Sequence, residues 1–340
     1  MSTAATAGYC DLATGQCDTN EPRRAHGDAE AEPCDNVGPL DLIINAGTRP
    51  IAARDYGGTG SSLLLLHGAG ENLASMTPLA HAFAVRHRVV SIDLRGHGLS
   101  AEGDWAFDGV LDDLEMVIDT LGLGNPAVVG HSLGGMVAAA WGHRHPEVPG
   151  VVNLDGNPLP NSIDDVPGLS PEFAVEQLAR FRESLGALFA GFGSGLTPEA
   201  MAAMESGQRA TAAAAGLDSE DLLESLHRRV AQVNGELTIR PSTWTLGRLT
   251  TGQGEFDLID AYRNTTSPLL VVSGTRGLPM HDQFPEMWHA FRESTNDRLD
   301  AVAAITPSMR HVVLQDSAHT MYYDDVTRVV ALVEEFLAAP

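Results

Sequence analysis

The segment Gly130-His131-Ser132-Leu133-Gly134-Gly135 constrains this chain more than any other. The apolar run Ala127-Val128-Val129 precedes it and Met136-Val137-Ala138-Ala139-Ala140-Trp141 follows, so a strand is expected to pass through a sharp turn into a helix. In a G-x-S-x-G turn only small residues fit beside the serine. The turn lifts the hydroxyl clear of the sheet and aims the next backbone N–H at the same point. Ser132 is therefore the expected nucleophile of a hydrolase, against the plainer alternative of an ordinary serine in a glycine-rich turn.

The surrounding pattern alternates strand and helix. Strand-like runs are Leu42–Ile44, Ile51–Ala53, Leu63–Leu66, Val89–Ile92, Ala127–Val129, Val151–Leu154, Leu269–Val272 and Val312–Leu314. The middle members are continuously apolar, as parallel strands covered on both faces must be. Helical stretches fall between them at 75–85, 108–121 and 134–144, and another follows the last strand over Val326–Leu337. This predicts an α/β fold with a mostly parallel, eight-stranded sheet flanked by helices. The alternation breaks over 157–265, where Ala174, Leu178, Phe181, Leu185, Leu188 and Phe192 recur at helical spacing. Leu222, Leu226, Val230 and Val233 do the same, so a helical insertion without strands is expected there. The predicted organisation is a flexible acidic tail (1–39), a core in two parts (40–156 and 266–340) and the insertion between them. The tail is too poor in large apolar groups to repay its own ordering.

Composition removes several function classes. A formal charge of −24 argues against nucleic acid and anionic membrane surfaces as partners. All 21 basic residues are arginine, so a Schiff-base lysine and a Walker-A lysine are both impossible. The cysteines Cys10, Cys17 and Cys34 all lie in the tail and cannot form a disulfide framework for the core. Cys10 and Cys17 with Asp11 and Asp18 fit no standard zinc spacing, and no metal is expected. No apolar run reaches the length of a membrane span, and Met1–Cys10 has no signal-peptide pattern, so a cytoplasmic location is expected. Oligomeric state is not readable from the sequence.

A serine hydroxyl needs a base to take its proton, an acid to orient that base and donors for the developing oxyanion. Among thirteen histidines, His319 stands just past the last strand and C-terminal to both the serine and the candidate acids. Catalytic groups of an open α/β sheet gather at the carboxyl ends of strands, which favours His319 as the base. His67-Gly68-Ala69-Gly70 ends the third strand, and the N–H of Ala69 beside that of Leu133 would form an oxyanion hole. Gly68, Gly70 and Glu71 are expected to border the substrate, while the His67 side chain is expected to order the loop.

These segments together resemble the α/β-hydrolase fold superfamily. His67-Gly68, Asp93-Leu94-Arg95-Gly96-His97-Gly98-Leu99-Ser100, Gly130–Gly135 and the late His319 appear in that family's order over most of residues 40–340. The resemblance implies that Asp93, Arg95 and His97 shape a turn and that 157–265 is a cap over the pocket. The family's usual acid follows the seventh strand, but here Gly274-Thr275-Arg276-Gly277-Leu278-Pro279 puts Gly277 in that slot. Some members take the acid from the end of the sixth strand, where this chain has Asp155; Asp282 is the rival.

The resemblance implies hydrolysis of a hydrophobic carboxylic ester or lactone through an acyl-enzyme, without a cofactor. The apolar cap residues Phe173, Phe181, Leu185, Phe189, Met201 and Met204 suggest a hydrophobic, small-molecule substrate. Sixth-strand acids also occur in the family's lactonases that open large fungal macrolactones and in its cofactor-free dioxygenases. Haloalkane dehalogenases and epoxide hydrolases are set aside because they carry an aspartate where this chain has Ser132. The alternatives are a carbon–carbon bond hydrolase, a cofactor-free dioxygenase and a non-catalytic small-molecule receptor.

Overall fold

Eight strands from Leu40 onward lie side by side in one sheet: β1 (Leu40–Asn45), β2 (Ile51–Asp55), β3 (Ser62–Leu66), β4 (Arg88–Ile92), β5 (Ala127–His131), β6 (Val151–Leu154), β7 (Leu269–Gly274) and β8 (Met309–Leu314). Their order is β1-β2-β4-β3-β5-β6-β7-β8. The pairs β1–β2 and β2–β4 are antiparallel, and every pairing from β4 across to β8 is parallel. The computed structural model describes residues 8–11, 17–18, 38–45, 49–192, 195–233, 235–252 and 256–339. The predicted α/β fold and its eight-stranded, mostly parallel sheet are both present.

The continuously apolar strands are buried on both faces, and each face has its own helices. On one side α2 (Phe107–Leu121) and α3 (Leu133–Arg144) cover Leu64, Leu66, Val128 and Val271. On the other, α1 (Thr77–Ala84) and α11 (Val326–Leu337) cover Leu63, Leu65, Val129 and Val272. Adjacent leucines of β3 thus enter opposite cores, as the two-residue period of a strand requires. Helix α2 buries Val110, Leu111, Leu114, Val117, Ile118 and Leu121 and ends at Gly122, whose left-handed backbone lets its N–H reach the carbonyls of Ile118 and Asp119.

Topology then fixes where chemistry can occur. The chain leaves β3 through α1 to β4 on one side, then crosses back through α2 to β5 on the other. Register aligns Leu66 with Ile92 and Gly130, and His131 with Leu154, so these strands end on one rim. Such a reversal opens a crevice beyond the carboxyl ends of the strands.

The insertion covers that rim and is fastened to both flanks. Helix α4 (Pro171–Ala190) buries Ala174, Leu178 and Phe181 against Phe284, Met287 and Phe291 at and within α9 (Pro285–Ala303). Helix α5 (Pro198–Ala215) packs on α6 (Ser219–Arg228). Helix α6 in turn is tied to the core, with Arg228 donating to Asp93 and Asp41, and Glu224 accepting from Arg54. Helix α7 (Thr243–Gly252) sends Leu246 and Leu249 into the main core.

Three expectations need correction. The helical spacing of Val230 and Val233 is accidental: α6 stops at Arg228, and Val230–Val233 pairs with Glu236–Ile239 as an antiparallel hairpin. Gly235, at φ +89°, takes the turn conformation that glycine tolerates. Second, the end of the expected insertion packs into the main core as α7 does: α8 (Leu258–Asn264) buries Leu258 and Tyr262 in the core that α3 occupies. Third, Gly8–Asp11 extends the sheet beside β1, and Cys17–Asp18 pairs with it, where only a tail was expected. The ladder puts Cys10 opposite Cys17; Cys34 and most of the expected tail lie outside the described residues. Among the described residues no helix is long and apolar enough to cross a membrane.

Candidate active site

Ser132 occupies the bend between β5 and α3 with φ +53° and ψ −118°. The neighbouring glycines are required by space. A Cβ on Gly130 would stand 2.0 Å from the Gly134 carbonyl oxygen, and one on Gly134 would stand 2.3 Å from that of Leu66. A Cβ at Gly156 would likewise lie 2.2 Å from the Ser132 carbonyl oxygen. The strained residue is held from outside: the Ser132 N–H donates to Leu154 (2.8 Å), and its carbonyl accepts from Gly135 (2.9 Å) and Met136 (3.1 Å). Strain of this kind persists where surrounding contacts over-determine it. Leu133 begins α3, so its N–H belongs to the unsatisfied first turn of a helix and carries the positive end of the dipole.

Asp155 also has a positive φ, +56°, immediately after β6. Its Oδ2 meets His319 Nδ1 at 2.7 Å. Its Oδ1 accepts from Arg292 of α9 at 2.7 Å and from the Gly274 N–H at 3.1 Å. Burial would push this carboxyl up, but the hydrogen bond from His319 and the charge of Arg292 outweigh it and hold the group below its ordinary range. A charged Asp155 keeps the proton of a neutral His319 on Nδ1 and leaves Nε2 facing the cavity as an acceptor. Asp282, the rival acid, is exposed and does not line the cavity. The slot after β7 cannot take an acid: a Cβ on Gly277 would lie 2.4 Å from Trp288 Nε1 and 2.5 Å from His281 Nδ1. Those two rings stack with centroids 3.3 Å apart.

Ser132 and His319 border one cavity of about 300 Å³, together with Gly68, Ala69, Gly70, Glu71, Leu133 and Asp155. Every site residue expected from sequence except Asp282 is therefore brought to one place. Among the described residues no hydrogen bond joins the Ser132 hydroxyl to the imidazole; such contacts commonly close only when substrate arrives. The apolar wall is drawn from α4 (Phe181, Leu185, Leu188, Phe189) and from Leu246 and Leu249 of α7. Of the apolar cap residues named from sequence, Phe181, Leu185 and Phe189 line the cavity and Phe173, Met201 and Met204 do not.

His67 behaves as expected. Its Nδ1 lies 2.8 Å from the Gly68 carbonyl and its Nε2 accepts from the Leu94 N–H at 3.0 Å, which requires a neutral ring. Burial lowers its pKa to about 4. Asp93 is structural too, accepting from the Leu73 and Leu99 N–H groups and from Arg228.

A second network escaped the sequence reading. His131, the residue before the serine, places Nε2 3.0 Å from the His319 carbonyl and Nδ1 3.3 Å from Glu71 Oε2. That same oxygen accepts from the Gly68 N–H (3.0 Å) and the Ser75 hydroxyl (3.3 Å). Both ring nitrogens face acceptors, so the imidazolium satisfies both. Burial opposes that charge, but the facing Glu71 overcomes it and holds the His131 pKa above its ordinary value. Glu71 is held well below the carboxylate range, its own burial outweighed chiefly by His131. The pair ties the loop after β3 to the loop that carries His319.

This pair carries a pH signature. Glu71 stabilises the fold fully above its unfolded value near 4.5 and loses that contribution as pH falls. His131 stabilises fully below its unfolded value near 6.5 and loses its contribution as pH rises through the folded value. Chemical denaturation of Glu71→Gln beside the parent across pH 3–9 should show the widest stability gap between about 4.5 and 6.5, narrowing on both sides. A gap that is flat with pH would remove the ion pair.

Comparison with known proteins adds an independent finding. A family model described as alpha/beta hydrolase fold matches residues 62–326. The 2-(acetamidomethylene)succinate hydrolase of Mesorhizobium japonicum is 28% identical over 223 residues, covering 64% of this chain and 71% of that protein. The pimeloyl-[acyl-carrier protein] methyl ester esterase of Aeromonas hydrophila is 26% identical over 289 residues, covering 82% and 96%. Among solved structures, E-2-(acetamidomethylene)succinate hydrolase superposes with a TM-score of 0.65 at 22% identity, covering 88% of this chain and all of that one.

Proposed function

Because the chain belongs to the α/β-hydrolase fold family, we propose that it is a serine hydrolase that cleaves a hydrophobic carboxylic ester or lactone through an acyl-enzyme. The observation that carries this reading is the 2.7 Å bond between His319 and the buried Asp155, on the same cavity wall as a serine held at positive φ. Ser132 Oγ attacks the acyl carbon as His319 Nε2 takes its proton, and Asp155 stabilises the imidazolium that forms. The N–H groups of Leu133 and Ala69 receive the oxyanion. His319 then gives its proton to the departing alcohol oxygen, leaving the acyl group on Ser132. A water deprotonated by the same nitrogen attacks that ester, and the acid is released as the serine regains its proton.

The apolar wall supports a hydrophobic acyl or alcohol group, and a relative named as a methyl ester esterase supports ester hydrolysis. The test is a panel of p-nitrophenyl esters of graded chain length plus simple lactones, with fluorophosphonate labelling read by mass spectrometry. Hydrolysis of at least one ester or lactone and a single adduct on Ser132 are expected. No turnover across the panel together with an unlabelled Ser132 would overturn the reading.

A further inference from the structure

Among the charged groups that line the cavity, one is left without a hydrogen-bonding partner among the described residues. Glu71 faces His131, and Asp155 holds both His319 and Arg292. Arg229 also lines the cavity, yet among the described residues its guanidinium has neither a hydrogen bond nor an ion pair, and its Nε is buried without a partner. Arg229 is half-buried, and the one carboxylate its charge is seen to act on is Glu71, with which it makes no hydrogen bond. A guanidinium whose buried N–H donors lack acceptors gains by meeting an anionic one. The adjacent Arg228 shows the usual outcome, turning inward to Asp93 and Asp41.

The backbone at Arg229 is pinned. Its N–H caps α6 through the Leu226 carbonyl (3.1 Å), and its own carbonyl accepts from Arg240 (2.7 Å) at the base of the cap hairpin. Glu71, whose carboxylate feels the charge of Arg229, is already hydrogen-bonded by Gly68, Ser75 and His131. The side chain is thus presented from a fixed junction to a cavity that has an apolar wall, including Phe181, Leu185 and Leu249, beside the polar groups around Ser132.

We propose that Arg229 binds a carboxylate of the substrate, so that the compound hydrolysed has an apolar body with a carboxylate at one end. This specificity rests on Ser132 being the nucleophile. A guanidinium offers a planar fork that matches a carboxylate with two parallel hydrogen bonds. A monoanion also leaves no second charge to be neutralised beside Glu71, whereas a phosphate dianion would.

The experiment compares mono-p-nitrophenyl adipate with p-nitrophenyl hexanoate, which differ in the terminal carboxylate. The parent should favour the charged ester in kcat/KM, and Arg229→Gln should shrink that ratio by about 10- to 100-fold, mainly through KM. Arg229→Lys should retain part of it. A p-nitrophenyl ester ending in phosphate should not replace the carboxylate; preference for it would overturn the assignment. In parallel, calorimetry on Ser132→Ala should show monomethyl adipate binding more tightly than dimethyl adipate, with the difference lost on adding Arg229→Gln. If Ser132 is labelled and neutral esters turn over, but neither ratio depends on Arg229, this proposal fails and the hydrolase reading stands. If no ester turns over yet binding depends on Arg229, the carboxylate site stands and the hydrolase reading falls.

Discussion

Replacing Ser132 with alanine is expected to lower turnover by about 10⁴- to 10⁶-fold while leaving the fold intact, because loss of a triad serine removes the covalent route entirely. The residual rate over water would come from the Leu133 and Ala69 N–H groups and from binding, neither of which needs the hydroxyl. The side chain carries no hydrogen bond in the described structure, and alanine keeps the backbone contacts of Ser132 to Leu154, Gly135 and Met136. Circular dichroism and melting temperature should therefore stay close to the parent, and burst kinetics with a chromogenic ester should lose the acyl-enzyme phase. The same variant separates reaction classes. A cofactor-free dioxygenase on this fold would use His319 to deprotonate substrate directly and would keep much of its rate without the hydroxyl. Retention of more than about a tenth of the parental kcat would remove the acyl-enzyme mechanism, since a difference of that size corresponds to little more than 1 kcal/mol of transition-state stabilisation.

The sheet and its nucleophile bend were legible because each depends on local rules that leave marks in sequence. Doubly buried strands need unbroken apolar runs, and Leu63–Leu66 and Ala127–Val129 have them. A bend that brings Gly134 against the Leu66 carbonyl admits no side chain, so the glycines announce it. Asp155 was reachable because it follows a strand whose end could be placed. The rest depended on contacts between segments far apart in the chain. Arg292 reaches Asp155 across 137 positions, and His131 reaches the His319 carbonyl across 188. No periodicity encodes such pairings. The hairpin at 230–239 is a different failure. Two valines three apart fit both a helix and a strand, and the Asn234-Gly235 dipeptide that favours a tight hairpin was the available discriminator. The empty acid slot after β7 lies between these cases: Gly277 was visible as a departure, but the reason, a His281–Trp288 stack occupying the space, was visible only in three dimensions.

Asp155→Asn should reduce kcat/KM by roughly 10³- to 10⁴-fold, whereas Asp282→Asn should stay within about twofold of the parent. The first figure follows from what the carboxylate does. An amide in its place can present its N–H to Nδ1, which favours the wrong tautomer and directs the remaining ring proton toward the serine, and it no longer balances an imidazolium in the transition state. Asp155 has a second duty that must be kept apart from the first. Its Oδ1 accepts from Arg292 and from the Gly274 N–H, so the asparagine variant also weakens a buried ion pair and stability should fall. Two readouts distinguish catalysis from collapse. The melting temperature reports the loss at Arg292, and fluorophosphonate labelling at raised pH reports whether Ser132 remains in place while its base is impaired. Asp282 is exposed and outside the cavity, so its amide should change neither. The reverse result, a near-normal Asp155→Asn enzyme with a silent Asp282→Asn enzyme, would mean that the loop after β7 closes over the cavity and supplies the acid. The observed contact argues against that movement, because the imidazole of His319 is committed to Asp155 at 2.7 Å.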